Sequence, residues 1–395
     1  MRRSTDRIIT THPGRLPDPP NRDAVMAARA AGDQATFDRL VREGVAVMLK
    51  KQQSLGVDVM TDGEVWKARD GKYYDMRVSG IEAVPLKDGE PVSTVAQHRE
   101  RSMPEFADTW ATWTQVGNAP RVGVVNPVPT EKYVMTGAVK AKDPAPVKHE
   151  VELIKSILQE NGVAMDQFVY PVLGPGWLDH FVWDGYYNNE EEYCQALAEI
   201  VKADFHAVID AGFDLQVDDP GLNDRWGMIN PAVSIEEYRR QEAIRVEATN
   251  WALAGIPEDR VRYHTCWGSW HTPHVTDIPF EHTVDLMLRI NACAYSIEAA
   301  DVRHEYDYKV FESGKAKLPD GKIYIPGVVA HKTTTIEPVD LVADRIVRYA
   351  NLFGRENVIA CVDCGVGGRA YPDIGWAKLG VLSEGAALAT KMLWK

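Results

Sequence analysis

Val261-Arg262-Tyr263-His264-Thr265-Cys266 is a β-like run that breaks into the loop Trp267-Gly268-Ser269-Trp270-His271. Residues at i and i+2 of a strand point to the same face. His264 and Cys266 therefore present an imidazole and a sulfur side by side, a pair suited to one soft or borderline cation, zinc first among them. A strand with chemistry at its carboxyl end is the unit to look for in the rest of the chain.

Working outward, the same unit recurs. Ile8-Ile9-Thr10-Thr11 runs into the loop His12-Pro13-Gly14-Arg15-Leu16-Pro17, and Phe37, Leu40, Val41, Val45 and Met48 mark an amphipathic helix to about Leu55. Val57 to Thr61 is a second strand, followed by Asp62-Gly63-Glu64. Further strands are expected at Phe168 to Leu173, Phe213 to Val217, Val261 to Cys266, Ala294 to Ile297, Ile323 to Val329 and Val358 to Val362. Helical patterns fall near 149–160, 190–211, 234–254, 280–291, 337–353 and 374–391, the clearest carrying Val339, Val342, Ile346, Tyr349 and Phe353 on one stripe. Eight alternating units predict an α/β fold of the (β/α)8 TIM-barrel type, read as a single catalytic domain over 1–395. Residues from about 70 to 145 break the rhythm, with Trp110, Trp113 and the β-run Arg121 to Val125, and are expected to form an inserted hairpin or lid after strand two. A doubly wound open sheet is the alternative, but no G-x-G-x-x-G follows the first strand.

The balance of 44 basic against 57 acidic residues, a formal charge of -13, argues against a nucleic-acid or anionic-membrane surface and for small-molecule partners. No stretch approaches the roughly 20 apolar residues of a membrane span, and Met1 to Arg7 has no apolar run after its basic residues. Five cysteines without a signal peptide fit a reducing cytoplasm. A homo-oligomer is compatible with the sequence.

In a barrel the chemistry sits where strands end. There the sequence places His12, Glu64, Asp218 and Asp219, His264 and Cys266, Glu298, His331, and Asp363 and Cys364. In Cys361-Val362-Asp363-Cys364 the cysteines are three apart and face opposite sides. Cys364, followed by Gly365, Gly367 and Gly368, is expected at the mouth, and Cys361 in the core. Glu298, closing Tyr295-Ser296-Ile297, is the best-placed fourth ligand, with Glu305 and His304 as alternatives. His264, Cys266, Glu298 and Cys364 would give zinc a net charge near minus one. Such a centre makes hydroxide poorly but can accept a thiol and keep its thiolate nucleophilic. Trp267 and Trp270 would wall such a site from water, or simply pack; His271 and His274, beside Pro273, read as surface or outer positions.

Thr10-Thr11-His12-Pro13-Gly14, Asp62-Gly63-Glu64, Gln216-Val217-Asp218-Asp219-Pro220, His264-Thr265-Cys266, Ile297-Glu298 and Asp363-Cys364-Gly365 together resemble the C-terminal catalytic barrel of cobalamin-independent methionine synthase and the related epoxyalkane:coenzyme M transferases. The resemblance implies zinc on His264, Cys266, Glu298 and Cys364. It also implies contacts from Glu64 and Asp218 to a substrate amino group, with Asp219 and His12 beside them, and a proton-handling role for His331. Two departures stand out. Arg15 replaces a serine that meets the substrate carboxylate and could clamp a carboxylate, sulfonate or phosphate, and the family's Asp-Glu-Pro is Asp218-Asp219-Pro220. The synthase's second, N-terminal barrel is also expected to be missing. The implied activity is transfer of a methyl or other alkyl group from a donor, methyl-folate-like or other, to a zinc-bound substrate thiolate, with His331 and Asp218 as catalytic groups. Opening of an epoxide by the thiol is the alternative within the family. A binding protein with a structural zinc and a metal-free barrel like uroporphyrinogen decarboxylase are the readings outside it.

Overall fold

The computed structural model describes residues 1–64, 66–67, 77–87, 130–142, 145–229, 232–269, 274–368 and 371–394. Trp110, Trp113, the Arg121 to Val125 run, Trp270 and His271 lie outside them.

Along the chain, α1 (Arg22–Ala30) and α2 (Gln34–Ser54) precede β1 (Val78–Pro85) and β2 (Glu131–Ala141), and α3 (Ala145–Glu160) leads into β3 (Val169–Leu173). Then follow β4 (Val182–Asp184), α4 (Glu190–Asp210), β5 (Asp214–Asp218), α5 (Ile235–Ala252), β6 (Val261–Thr265) and β7 (Ala294–Ile297). The described chain ends with β8 (Ile323–Val329), α6 (Val339–Phe353), β9 (Cys361–Val362) and α7 (Pro372–Leu393).

Local chemistry starts and stops these elements. The side chains of Asp33, Asn189 and Ser234 accept from the N–H groups of Thr36, Glu192 and Glu237, capping α2, α4 and α5. α6 buries Val342, Ile346 and Tyr349 and stops at Gly354, whose φ of 84° suits a residue without Cβ. The helix expected near 280–291 is instead a tight turn at Phe280–His282 and a single turn at Val284–Met287. Thr283 between them, at φ -128°, leaves helical geometry and divides the run.

Strands β3, β5, β6, β7, β8 and β9 form one parallel sheet in that order. All seven residues of β8 are buried, the pattern of a parallel strand covered on both faces. Isolated parallel bridges extend the sheet beyond both edges, pairing Ala360 with Thr10, Thr11 with Val59 and Met60 with Phe168. Ile9, Val59, Val169, Ala294, Ile323, Ile325, Ile359 and Cys361 form a small core cluster of their own, apart from the larger core that packs helices against strands. The architecture is α/β with a curled, TIM-like parallel sheet. Apart from this sheet, β1 pairs antiparallel with β2, and β4 adds to β2 in parallel as a separate three-stranded sheet. Among the described residues no helix is long and apolar enough to cross a membrane.

Candidate metal centre

Strand register brings the site together. His264, one residue short of the end of β6, is the partner of Asp218, the last residue of β5, and of Ser296 on β7. Its Nδ1 lies 3.1 Å from the Ser296 hydroxyl, which orients the ring and leaves Nε2 buried with no hydrogen-bond partner, 3.9 Å from Asp218 Oδ1. Beyond the strand end, the Cys266 sulfur lies 3.9 Å from that of Cys364, which comes from the loop after β9. The ligand atoms of His264, Cys266 and Cys364 all fall within 4.8 Å of one another.

The two sulfurs are far beyond a disulfide bond of about 2.05 Å. They are close to the roughly 3.8 Å that two sulfurs subtend on one tetrahedral zinc at Zn–S of about 2.3 Å. The donor set therefore fits zinc in its chemistry and in its sulfur spacing. Electrostatics agree. Hydrogen bonding from the Cys266 thiol, with His264 beside it, holds the Cys364 pKa well below the usual thiol range, and that same hydrogen bond to Cys364, with burial, drives the pKa of Cys266 well above it.

Cys364 reaches the mouth because its following loop packs backbone against backbone. Gly367 donates to the Arg15 carbonyl, and Leu16 donates to the Gly63 carbonyl. A Cβ at Gly365 would stand 2.5 Å from Arg15 N, and one at Gly367 2.0 Å from Leu16 O, so only glycine allows this approach. Arg15, the Gly63 turn and Cys364 are neighbours for that reason. Glu64 itself is nearly fully buried and holds a left-handed backbone at φ 55°, a strained state for a residue with a side chain. Arg15 forks onto Asp18 through Nε and Nη2 at 2.5 to 3.1 Å.

The other expected residues are distributed around this set. Asp218 and Asp219 are buried at the end of β5. Burial pushes the Asp219 pKa up to about 7, and its Oδ2 accepts from Gly176 N–H. His12 is fully buried, bonded to Gln52 at 2.7 Å, and burial lowers its pKa to about 4. The Trp267 indole is buried in the hydrophobic core. It stacks on His304 at 3.6 Å and donates to the Ile278 carbonyl, while its main-chain N–H donates to Glu298 Oε2 at 3.0 Å. Glu298 lies outside the His264 set and in a second group with His331 and Asp363. The alternative ligands point elsewhere: Glu305 accepts from Arg345, and His304 is held by Asp277 and Asp307. His331 Nε2 meets the Ser269 hydroxyl at 2.9 Å.

Sequence reasoning missed Lys332, which is buried and ion-paired to Glu298 at 2.8 Å and to Asp301 at 3.5 Å. Burial works against its charge, but the two carboxylates outweigh it and hold its pKa above the usual lysine value. Its place directly after His331, past the end of β8, was the available signal. Ser296 was missed too, although its position two before Glu298 put it on the same strand face.

No family model matches the chain. It is 23% identical over 394 aligned residues to a 2-hydroxypropyl-CoM lyase of Xanthobacter autotrophicus, covering 91% of this chain and 89% of the relative. It is 22% identical over 373 residues to a methionine synthase of Sulfolobus acidocaldarius, covering 91% and 86%. Among solved structures, a B12-independent methionine synthase from Shewanella sp. W3-18-1, in complex with selenomethionine, superposes with a TM-score of 0.66 at 17% identity over 98% of this chain and 99% of that one. The resemblance drawn from the motifs therefore extends along nearly the whole chain, which is similar in sequence to 2-hydroxypropyl-CoM lyase and to methionine synthase and in fold to a B12-independent methionine synthase.

Proposed function

We propose that the chain is a zinc-dependent S-alkyltransferase that moves a methyl or other alkyl group to the sulfur of a small thiol. The observation that carries this reading is the sulfur pair of Cys266 and Cys364, 3.9 Å apart beside the unpartnered Nε2 of His264. Zinc held by His264, Cys266 and Cys364 would supply a Lewis acid that favours ionisation of a nearby thiol. Relatives named methionine synthase and 2-hydroxypropyl-CoM lyase support chemistry at a thiol sulfur. We read the two N-terminal runs bridged to β9 and β3 as the strands that complete an eight-stranded (β/α)8 barrel, with residues of about 70–145 inserted into one domain. Five free cysteines suit a reducing cytoplasm.

The chain's own groups would bind and orient. Asp218, 3.9 Å from His264, and Glu64, on its strained turn, offer carboxylates for a substrate ammonium. Arg15, by exchanging Asp18 for a substrate acid, would take the anionic tail. His331 is the candidate proton carrier, its Nε2 set by Ser269. Fixing thiol and alkyl donor in one pocket supplies much of the rate.

A second reading keeps the thiol and makes the electrophile an epoxide. Opening it forms a 2-hydroxyalkyl thioether, the kind of bond that the Xanthobacter relative's name describes being broken, and Arg15 suits an anionic thiol. Zinc analysis of the purified protein and of Cys266→Ser and Cys364→Ser, followed by assays of thiol loss with a methyl donor and with an epoxide, tests both. Zinc kept in both variants would sink the shared premise, and thiol loss with the epoxide alone would select the second reading.

A further inference from the structure

The Glu298 carboxylate has one oxygen in a hydrogen bond and the other in an ion pair, with no hydrogen-bond partner of its own. Oε2 accepts from the Trp267 main-chain N–H at 3.0 Å and Oε1 meets Lys332 Nζ at 2.8 Å. Taking an ammonium out of water costs several kcal/mol unless its partners are in place, and Lys332 has three. Besides Glu298 it faces Asp301 at 3.5 Å and donates to His274 Nε2 at 3.1 Å. His274 can accept there because its Nδ1 donates to Asp277 at 2.9 Å, and Asp277 is also held by His304 Nε2 at 3.0 Å. The ammonium is therefore fixed from the far side by a chain of bonds from the loops after β6 and β7.

We propose that Lys332 is a positioning residue that holds Glu298 outside the His264, Cys266 and Cys364 set, so that three protein groups claim the metal and the fourth place falls to the substrate thiol. This rests on the zinc reading above. Charge gives the reason for such an arrangement. Two thiolates and a neutral imidazole bring zinc to zero net charge. A resident carboxylate would make that minus one, and a thiol arriving there would ionise against it. With Glu298 neutralised by Lys332, a thiol would ionise beside a neutral centre once zinc is held by His264, Cys266 and Cys364.

The proposal predicts effects of opposite sign on metal and on thiol. In Lys332→Met the freed Glu298 joins the set. Zinc should then leave to a competing chelator at least tenfold more slowly, and the KM for thiol should rise at least tenfold while kcat changes less. Lys332→Arg, which keeps the cation, should recover much of the thiol affinity. A merely structural role for Lys332 would weaken zinc and thiol together, and that result would overturn the proposal, as would no change in either. Glu298→Gln provides the decision if Lys332→Met does not fold. Zinc content near one per chain and a chelator rate within twofold of the parent support the proposal, whereas loss of zinc makes Glu298 a resident ligand and overturns it. Zinc-edge spectroscopy of the parent should report two sulfur ligands before thiol addition and three after. If Cys266→Ser and Cys364→Ser both keep their zinc, the zinc reading itself has failed and takes this proposal with it, an outcome distinct from loss of zinc in Glu298→Gln alone.

Discussion

Two clusters of histidine with acidic or sulfur groups are built to opposite rules. In the cluster of His274, Asp277 and His304, the four ring nitrogens each meet a matched group: His274 Nδ1 and His304 Nε2 share Asp277, His304 Nδ1 takes Asp307, and His274 Nε2 takes Lys332. In the cluster of His264, Cys266 and Cys364, only Nδ1 has a hydroxyl partner, and Nε2 and two sulfurs face one another. The first cluster is complete as protein. The second leaves His264 Nε2 without a hydrogen-bond partner beside the two sulfurs, and on the proposed reading a cation would complete it. Proximity of ligand-type residues does not by itself make a metal site; an excess of unmatched acceptors does.

That contrast breaks most visibly at the sulfurs. Cys266→Ser and Cys364→Ser should take bound zinc from about one per chain to near none and lower alkyl transfer by more than the roughly 100-fold that outer-shell changes reach; elemental analysis and a thiol-consumption assay read both. Removing the hydroxyl that orients the ring is milder. Ser296→Ala should weaken zinc binding by about 10–100-fold, measured by chelator competition, with the fold retained by circular dichroism.

The paired cluster should answer to pH and not to metal. Burial disfavours the His304 cation, but Asp277 and Asp307 outweigh it and raise its pKa to about 9. A folded pKa above the free value means that the stabilisation is fully present below about pH 6.5 and fades as pH rises through about 9. Between pH 6 and 10 the stability advantage of the parent over His304→Gln in denaturant unfolding should therefore shrink by about 3 kcal/mol, with zinc content the same in both proteins. An advantage that does not vary with pH would remove the cation from the account. The smallest effect belongs to the rim. Arg15→Ala, which forfeits a half-exposed pair with Asp18, should leave stability within about 1 kcal/mol and raise KM by about fivefold for thiols with an anionic tail, with no such change for neutral ones.

Strand periodicity carried much of the fold. The expected strands at Ala294–Ile297 and Ile323–Val329 match the observed limits, because their runs are short, uncharged and rich in β-branched and aromatic residues. The first two strands were readable as β-like, yet they pair through single bridges, and such brief pairing leaves little mark on periodicity. Within the site, i and i+2 spacing sufficed for His264 with Cys266, since both leave one strand. It could not reveal Lys332 against Glu298 or His274 against Asp277, where loop conformation sets the distance. Trp267 shows the limit from the other side. Its neighbourhood to Cys266 made an indole wall plausible, while its backbone serves Glu298 and its ring serves the core.

The closing contacts of the sheet also fix when the centre comes into being. Ala360 pairs with Thr10, Arg262 reaches back 251 positions to Thr11, and Cys266 finds Cys364 across 98 positions. Contacts of such long range form late and slowly, after the loops between them have lost their entropy. A chain emerging from the ribosome as far as β8 already holds His264 and Cys266 but still lacks the second sulfur. On the zinc reading proposed above, loading with the ion would therefore follow synthesis of the segment that carries Cys364, unlike small metal-nucleated domains whose folding the ion itself drives.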